Sequence, residues 1–415
     1  MSKIRIKNFG PIQEGYQEDD GFMDIKKVTV FIGNQGSGKS TVAKLISTFT
    51  WIEKALVRGD YNTKWFERKK KFKNQYLTYH RIENYINDLR DIDTVIEYKG
   101  DAYHIKYENG VLKINETKNG SYPLPQIMYV PAERNFIANV KTPKALKLTS
   151  DSLVEFVTEF DNAKNEIRGT MQLPINNVEV EYNKPNDFVY IKSNKYKINL
   201  TEASSGFQSL VPLYLVTWFL ANSIKRQTEN SKPQSSDELE RFKKGVATIW
   251  ADETLSDEQR RAALSALATK FNKSAFINIV EEAEQNLFPS SQRQMLNSLV
   301  AFANMNTGNK LIMTTHSPYI INYLTLSVKA NLLLGMINDS SKKEVLTKKI
   351  NKIVPLESTV EPQNLVIYEL NDEGEIIKLG DDNNNQLPSD ENYLNELLGE
   401  TNELFAQLLE IQQEL

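Results

Sequence analysis

The chain has 415 residues, of which 40% are hydrophobic and 25% charged, and its formal net charge is -4. These values are typical of a globular protein and give no overall case for a nucleic-acid or membrane partner. The lack of cysteine excludes disulfides and thiolate metal sites, and three histidines argue against a multi-histidine metal centre. No apolar run reaches about 18 residues and the N-terminus lacks a signal-peptide core, so we expect a cytoplasmic protein.

A phosphate-binding loop is the first motif along the chain. Residues 28–32 are an apolar run typical of a buried strand, residues 33–40 read Gly-Asn-Gln-Gly-Ser-Gly-Lys-Ser, and a helical pattern follows from Thr41. The eight residues match G-x-x-x-x-G-K-S/T in the strand, loop and helix context that this motif requires. The alternative is a glycine-rich turn that binds nothing, and the full pattern disfavours it.

Nucleotide binding explains the residue types of this loop. Glycines allow backbone conformations in which successive N–H groups point at phosphate oxygens, and the helix N-terminus favours the same anion. Lys39 would reach the β- and γ-phosphates, and the Ser40 hydroxyl would ligate Mg²⁺. We therefore predict a nucleoside triphosphate with Mg²⁺, contacted by Gly33, Asn34, Gln35, Gly36, Ser37, Gly38, Lys39, Ser40 and Thr41.

A basic and aromatic stretch follows the predicted helix. Residues 51–90 have a helical pattern, and residues 64–73 hold six basic residues and one acidic residue interleaved with Trp65, Phe66 and Phe72. This composition is typical of a surface that binds nucleic acid or an acidic partner. A solvated helix face explains the charges equally well.

Strand patterns then return. Residues 94–114 alternate between apolar and polar side chains, which predicts an antiparallel sheet beside the nucleotide site, with His104 in a structural role. The apolar run 127–131 predicts a buried strand that ends at Glu133-Arg134. A charged pair at a strand end is a common place for functional groups in α/β folds, although these two residues could also form a structural ion pair.

Two further apolar runs end in polar groups. Residues 276–280 precede Glu281-Glu282, and residues 310–315 precede His316. Both runs fit parallel strands of one sheet, so the polar groups should meet at the edge that carries the phosphate loop.

The remaining motif is Ser204-Ser-Gly-Phe-Gln208, which opens an apolar helix from Leu210 to Ile224. With it, the order of motifs resembles that of ABC-type ATPases of the SMC, Rad50 and OLD branch, over residues 1 to about 325. The resemblance implies an α/β fold with a parallel core sheet, an antiparallel β-subdomain and helical insertions near residues 52–92 and 222–272. It also implies that the nucleotide is ATP.

The resemblance assigns roles to the other site residues. Glu281 matches the carboxylate on the metal side, beside Ser40, and Glu282 matches the catalytic carboxylate that orients the attacking water. His316 matches the histidine that holds the γ-phosphate. In this family Ser205, Gly206 and Gln208 would contact ATP bound to a second chain, which implies a homo-oligomer formed through the ATPase heads. Phe207 departs from the transporter version of the signature.

Two segments resemble a narrower group. Residues 281–289 are similar to a run in OLD-type ATPases, and residues 129–136 to a segment of defence-associated relatives, which include the ATPase subunits of the PARIS and Septu anti-phage systems. We find no TOPRIM-like acidic constellation after His316, and we interpret Asp381-Asp382 as a solvated turn. The resemblance therefore implies a switch that senses a phage protein or DNA and controls a separate TOPRIM or HNH nuclease. The basic stretch at residues 64–73 is the candidate contact for that trigger.

Two other functions stay open. A repair ATPase of RecF or Rad50 type is one, although the insertion of about 50 residues after the signature is too short for a long coiled-coil arm. A scaffold with structural nucleotide is the other, whereas the signature disfavours a transporter subunit. We place the ATPase head at residues 1–330 and a partner-binding tail at residues 331–415, where apolar residues recur at heptad spacing from Leu394.

Overall fold

The structure is a computed structural model. It describes residues 2–86, 94–117, 122–140, 148–230, 236–268, 273–380, 387–388 and 392–413. The pair Asp381-Asp382, interpreted above as a solvated turn, lies outside the described residues.

A mixed sheet of seven strands lies at the centre of the fold. Strands are numbered in chain order, and their spatial order in this sheet is β2 (Gly15–Tyr16), β16 (Glu375–Lys378), β15 (Leu365–Leu370), β4 (Val28–Gly33), β14 (Lys310–Thr314), β13 (Ala275–Val280) and β8 (Pro125–Val130). The five strands from β15 to β8 are parallel, and β16 is antiparallel to β15. The carboxyl ends of β4, β13 and β14 consequently lie side by side.

Two antiparallel sheets accompany the central one. The first consists of β3 (Met23–Asp24), β1 (Lys3–Lys7), β5 (Val95–Lys99), β6 (Tyr103–Glu108) and β7 (Val111–Glu116). The second consists of β12 (Lys197–Asn199), β11 (Phe188–Lys192), β10 (Glu179–Asn183) and β9 (Thr170–Gln172). His104 on β6 accepts or donates a 2.6 Å hydrogen bond with Glu97, which fits its predicted structural role.

The helices cover both faces of the central sheet. They are α1 (Lys39–Arg58), α2 (Thr63–Phe66), α3 (Asp151–Asn165), α4 (Ser205–Asn230), α5 (Ser236–Ala251), α6 (Asp257–Ala268), α7 (Pro289–Asn304), α8 (Pro318–Met336), α9 (Lys343–Ile353) and α10 (Tyr393–Gln413). The predicted α/β class, with a parallel core sheet and an antiparallel sheet beside it, is confirmed. The domain division at residue 330 stays a prediction, and β15 from the C-terminal part pairs directly with β4.

Alternating side chains of the buried strands supply two cores. Phe31 of β4 points to the face that holds α1 and the first antiparallel sheet, whereas Val30 and Ile32 point to the face that holds α3, α4, α7 and α8. Each such side chain contributes roughly 1.5–3 kcal/mol through burial. Both faces of the sheet are therefore apolar, which explains why its strands appear in the sequence as continuous apolar runs.

Residues 59–86 differ from the predicted helical stretch. They form α2, a π-helical turn at Phe72–Tyr76 and short 3₁₀ turns, because Lys70 and Arg81 adopt left-handed backbone conformations that interrupt a helix. Trp65, Phe66 and Phe72 are buried. The idea that these rings alternate with the basic residues on one binding surface is therefore wrong.

Helix α4 accounts for the strongest apolar signal in the chain. Among the described residues it is the one helix long and apolar enough to cross a membrane, over Ser205–Glu229, and 61% of its most apolar window is buried. It packs against α3, α7 and β13. Its composition is thus that of a central core helix, and its N-terminal turn is the predicted signature.

Candidate nucleotide site

The phosphate loop connects β4 to α1 and needs its glycines. Gly33, Gly36 and Gly38 have φ values of 138°, 86° and 107°, which other residues rarely adopt. A Cβ on Gly33 would lie 2.2 Å from the carbonyl oxygen of Leu370, and one on Gly38 would lie 3.0 Å from the side chain of Ile12. The loop is therefore held between β15 and the N-terminal turn.

Lys39 lies inside this loop. Its ammonium group donates hydrogen bonds to the carbonyl oxygens of Gly33 at 3.0 Å and Asn34 at 2.6 Å. Burial lowers the pKa of Lys39 to about 8, against the opposing effect of Glu282 and Glu284. The loop thus holds a buried positive charge at the position that phosphate oxygens would occupy.

Glu281 follows β13 and carries a buried oxygen that lacks a partner. Its Oε2 accepts a hydrogen bond from the backbone N–H of Ala132 at 3.1 Å, and its Oε1 has no hydrogen-bond partner among the described residues. A buried carboxylate oxygen without a donor is costly unless a cation or a bound water satisfies it.

This orphaned oxygen fits the predicted Mg²⁺. Within the described ranges no group of three or more histidine, aspartate or glutamate side chains could hold a metal by itself. Mg²⁺ commonly takes one or two protein oxygens and fills its shell with water and phosphate. Glu281 and Ser40, in the first turn of α1, would supply those protein oxygens, and the metal would neutralise phosphate charge.

Glu282 adopts a left-handed backbone, with φ of 46°. Its N–H donates a 3.2 Å hydrogen bond to the Thr314 hydroxyl at the end of β14, so the neighbouring strand fixes the turn. Its side chain is 38% exposed, and its Oε1 lies 3.9 Å from Nε2 of His316. A partly solvated carboxylate in this place can accept a proton from water.

His316 is held by a residue that we did not assign to the site from the sequence. Its backbone N–H donates a 2.6 Å hydrogen bond to Oε1 of Glu284. Burial, together with the positive charge of Lys39, lowers the pKa of His316 below its usual value. The imidazole is therefore neutral at pH 7. The sequence signals for Glu284 are its position two residues after the acidic pair and its place in the run 281–289 that resembles OLD-type ATPases.

Arg134 connects several parts of the site. Its guanidinium is fully buried and donates to the backbone oxygens of Glu281 at 2.7 Å, Glu282 at 2.6 Å and Ser209 at 3.3 Å. Burial lowers its pKa to about 10, so it stays charged at pH 7. The structural ion pair with Glu133 is wrong, because Glu133 is exposed and Arg134 bonds carbonyl groups.

The predicted signature forms the first turn of α4. Ser205 is exposed, and Gly206 packs so closely on the loop after the acidic pair that a Cβ would lie 2.9 Å from the Asn286 carbonyl oxygen. Gln208 donates a 3.1 Å hydrogen bond to the carbonyl oxygen of Thr201. In the described part of the chain, no side-chain hydrogen bond joins this turn to residues 33–41.

One side of the phosphate loop is held by contacts that the sequence did not predict. The Asn34 amide donates a 3.4 Å hydrogen bond to the carboxylate of Asp372, and the N–H of Gln13 donates to the carbonyl oxygen of Gly374 at 3.0 Å. These contacts join residues more than 300 positions apart, and no local pattern signals them.

A family model matches the middle of the chain. Residues 137–321 match the model of an AAA ATPase domain. The matched region is similar to an ATPase domain and contains the first turn of α4, the acidic pair and His316. The phosphate loop and Arg134 precede it. A search of curated proteins finds no match.

Three solved structures are similar over most of the chain. An SMC head bound to the C-winged helix domain of ScpA has a TM-score of 0.31 and 11% identity, and the alignment covers 77% of this chain and 91% of that one. A dimeric bacterial ABC transporter cassette has a TM-score of 0.29 and 13% identity, with coverages of 92% and 100%. The SMC head from Thermotoga maritima has a TM-score of 0.32 and 11% identity, with coverages of 77% and 90%.

Proposed function

We propose that this chain binds ATP with Mg²⁺ and hydrolyses it. One observation carries this conclusion: the adjacent ends of β4, β13 and β14 bring Lys39, the unpartnered oxygen of Glu281, Glu282 and His316 to one edge of the sheet. The match to an AAA ATPase domain over residues 137–321 supports the same activity.

The roles of the residues follow from this arrangement. The loop N–H groups and Lys39 hold the β- and γ-phosphates, while Ser40 and Glu281 would hold the metal. Glu282 accepts a proton from the attacking water as that water approaches the γ-phosphate. Neutral His316 donates a hydrogen bond to a γ-phosphate oxygen, which stabilises the charge that develops there.

The exposed signature turn supports hydrolysis between two chains. Ser205 is exposed at the N-terminus of α4, where a hydroxyl and the helix dipole can meet an anion. The resemblance to SMC, Rad50 and OLD proteins implies that this anion is the γ-phosphate bound by a second head. We therefore place Ser205, Gly206 and Gln208 opposite the phosphate loop of a second copy.

The biological role rests on the resemblance of residues 129–136 and 281–289 to defence-associated ATPases. We infer that ATP-dependent pairing of heads is a switch that responds to a phage protein or DNA and controls a separate nuclease. The exposed basic residues among residues 64–73 can still contact an acidic trigger. Trp65, Phe66 and Phe72 are buried, so stacking of these rings on nucleic-acid bases supports neither a DNA trigger nor the repair alternative.

Glu282→Gln tests the ATPase mechanism. The substitution keeps the size of the side chain but removes the proton acceptor, so ATP turnover should fall by a factor of about 10²–10⁴ while the Kd for ATP stays within a factor of about three. Glu133→Gln, at an exposed acid nearby, is the matched control and should leave turnover unchanged. Turnover is measured by phosphate release, and association of heads by light scattering with ATP.

Wild-type turnover by the Glu282→Gln variant would contradict the assigned role. The switch role is tested separately, by expressing the chain with its flanking genes in cells challenged with phage. Protection that is lost with Lys39→Ala supports it, whereas equal plating of phage on both strains contradicts it.

A further inference from the structure

A second cavity lies at the far end of α1. Its volume is about 370 Å³, and it is lined by α1, the turn at residues 75–80, β8 and α3. The α1 residues that line it run from Ser47 to Arg58, which corresponds to about 12–28 Å beyond Lys39 along the helix. The cavity is therefore distinct from the phosphate loop, although both sites share α1.

Several positive side chains line this cavity. Lys54, Arg261 and Lys273 make no side-chain hydrogen bond or ion pair with a described residue, whereas Arg58 is paired with Asp60. Burial, together with Arg58 and Lys273, lowers the pKa of Lys54 to about 7. A cluster of cations that depress one another is stabilised by an anion.

His80 contributes an unsatisfied polar ring to the same cavity. It is 2% exposed, and neither ring nitrogen has a hydrogen-bond partner among the described residues. Burial lowers its pKa to about 3, so the ring is neutral and offers one donor and one acceptor. Buried polar groups of this kind normally have a hydrogen-bond partner, and His80 is one of the residues that line the cavity.

The rest of the lining is aromatic and acidic. Trp51 is 38% exposed and lies 5.7 Å from Tyr76 between ring centroids. Asp151, Glu155 and Glu159 of α3 also line the cavity, and Glu155 accepts a hydrogen bond from Tyr79. These carboxylates would repel a simple anion. A ligand that also carries hydrogen-bond donors could donate hydrogen bonds to them.

We propose that this cavity binds a nucleoside monophosphate. The phosphate sits near Lys54 and Lys273, and the flat base packs on Trp51. The polar edge of the base, with its amino group, bonds to His80 and to the carboxylates of α3. The volume lies in the range of about 300–1,000 Å³ that is usual for small-ligand sites.

The cavity has a physical connection to the metal-side carboxylate. The Tyr129 ring lies 4.5 Å from the His80 ring, between centroids. The Tyr129 hydroxyl is buried and interacts with the Glu281 carboxylate, although neither this hydroxyl nor Oε1 of Glu281 makes a well-formed hydrogen bond with a described residue. A ligand that fixes His80 therefore acts, through Tyr129, on the orientation of Glu281. This consequence rests on the proposed ATPase function, whereas binding to the cavity does not.

Binding is tested in the full chain with Lys39→Ala, which removes the key cation of the phosphate loop. Isothermal titration with AMP, adenosine and inorganic phosphate should show AMP binding at least tenfold more tightly than either fragment. Adding Lys54→Met should raise the Kd for AMP at least tenfold, because the substitution removes the positive charge while it keeps the length of the side chain. Lys348→Met, on the exposed face of α9, is the control and should leave AMP binding unchanged.

The outcomes separate the two parts of the proposal. Absence of AMP binding, or equal AMP affinity with and without Lys54→Met in variants with the same melting temperature, overturns the site. If Lys54→Met unfolds the chain, His80→Phe keeps the ring but removes both nitrogens and should weaken AMP in its place. ATP turnover of the wild-type chain is then measured with and without AMP, and an unchanged rate overturns the connection to Glu281 alone.

Discussion

Lys39 combines a functional position with a perturbed pKa. Its pKa of about 8 in the free protein lies just above physiological pH, and only the protonated form attracts triphosphate. Glu282, Glu284 and His316 are the titratable groups that face it. The protonated fraction falls from about 0.9 at pH 7 to about 0.1 at pH 9. Bound phosphate keeps Lys39 protonated. The affinity for ATP is therefore highest below pH 8 and falls as the pH rises above 8.

We therefore expect the Kd for ATP, with Mg²⁺ in excess, to rise about tenfold between pH 7 and pH 9. Fluorescence titration with an ATP analogue measures this directly. The Lys39→Met variant should bind weakly at every pH and show no such slope. A wild-type Kd that stays constant over this range would contradict the assignment.

We propose that Arg134 is a positioning residue in this site, because it bonds backbone oxygens and no described side chain. Arg134→Met leaves those buried oxygens without donors and should lower the free energy of unfolding by about 2–5 kcal/mol. Because the acidic pair and α4 lose their common support, turnover should fall more than tenfold while the Kd for ATP changes little. Arg168→Met, at an exposed arginine, is the control.

Urea unfolding and phosphate release give the two values for each variant. A merely structural role for Arg134 would lower stability and leave the turnover of folded protein intact. That result would remove Arg134 from the site.

At the scale of elements, α10 presents an apolar stripe that its own chain leaves uncovered. Leu394 is buried, but the apolar residues that follow have exposed fractions between 42% and 63%; they are Leu397, Leu404, Phe405, Leu408, Leu409 and Ile411. A surface of this kind usually marks an interaction site. The predicted role of the tail in oligomer or partner contacts stays a prediction.

Replacing Leu404 and Leu408 by Glu should shift the protein to a smaller species, because the two charges would have to be buried in the contact. Light scattering coupled to size exclusion measures the mass. Gln407→Glu adds a charge on the same helix and is the control. An unchanged mass in the absence and presence of ATP would exclude this stripe as a contact between copies.

The elements also differ in how well the sequence predicts them. The sequence predicts β4, the loop and the start of α1 because the motif is local. All of its residues act within one short segment of the chain. Helical spacing over residues 51–90 is misleading, since left-handed residues such as Lys70 break the helix after α1 has ended. Strand β15 passed unnoticed as the neighbour of β4, because pairing between distant strands leaves no local pattern.

For the whole molecule, the residues that local motifs predict differ from those that only contacts between distant residues bring into the site. Glu281, Glu282 and His316 are predictable, since each follows an apolar run and parallel strands end at one edge. Glu284 and the bonds of Arg134 are not predictable in this way, because they involve backbone groups that every sequence contains. The second cavity is lined by residues that lie far apart in the sequence, on α1, β8, α3 and α6 among others, and it forms only when the chain is folded.

Arg134 also has a consequence for a pair of heads. It ties the turn that carries the proposed proton acceptor, Glu282, to the helix that each chain would offer to its neighbour. In the proposed pair, filling one site would therefore alter the surface that completes the other. We expect turnover to rise with ATP concentration along a sigmoidal curve, so that a small change in nucleotide level gives an abrupt response.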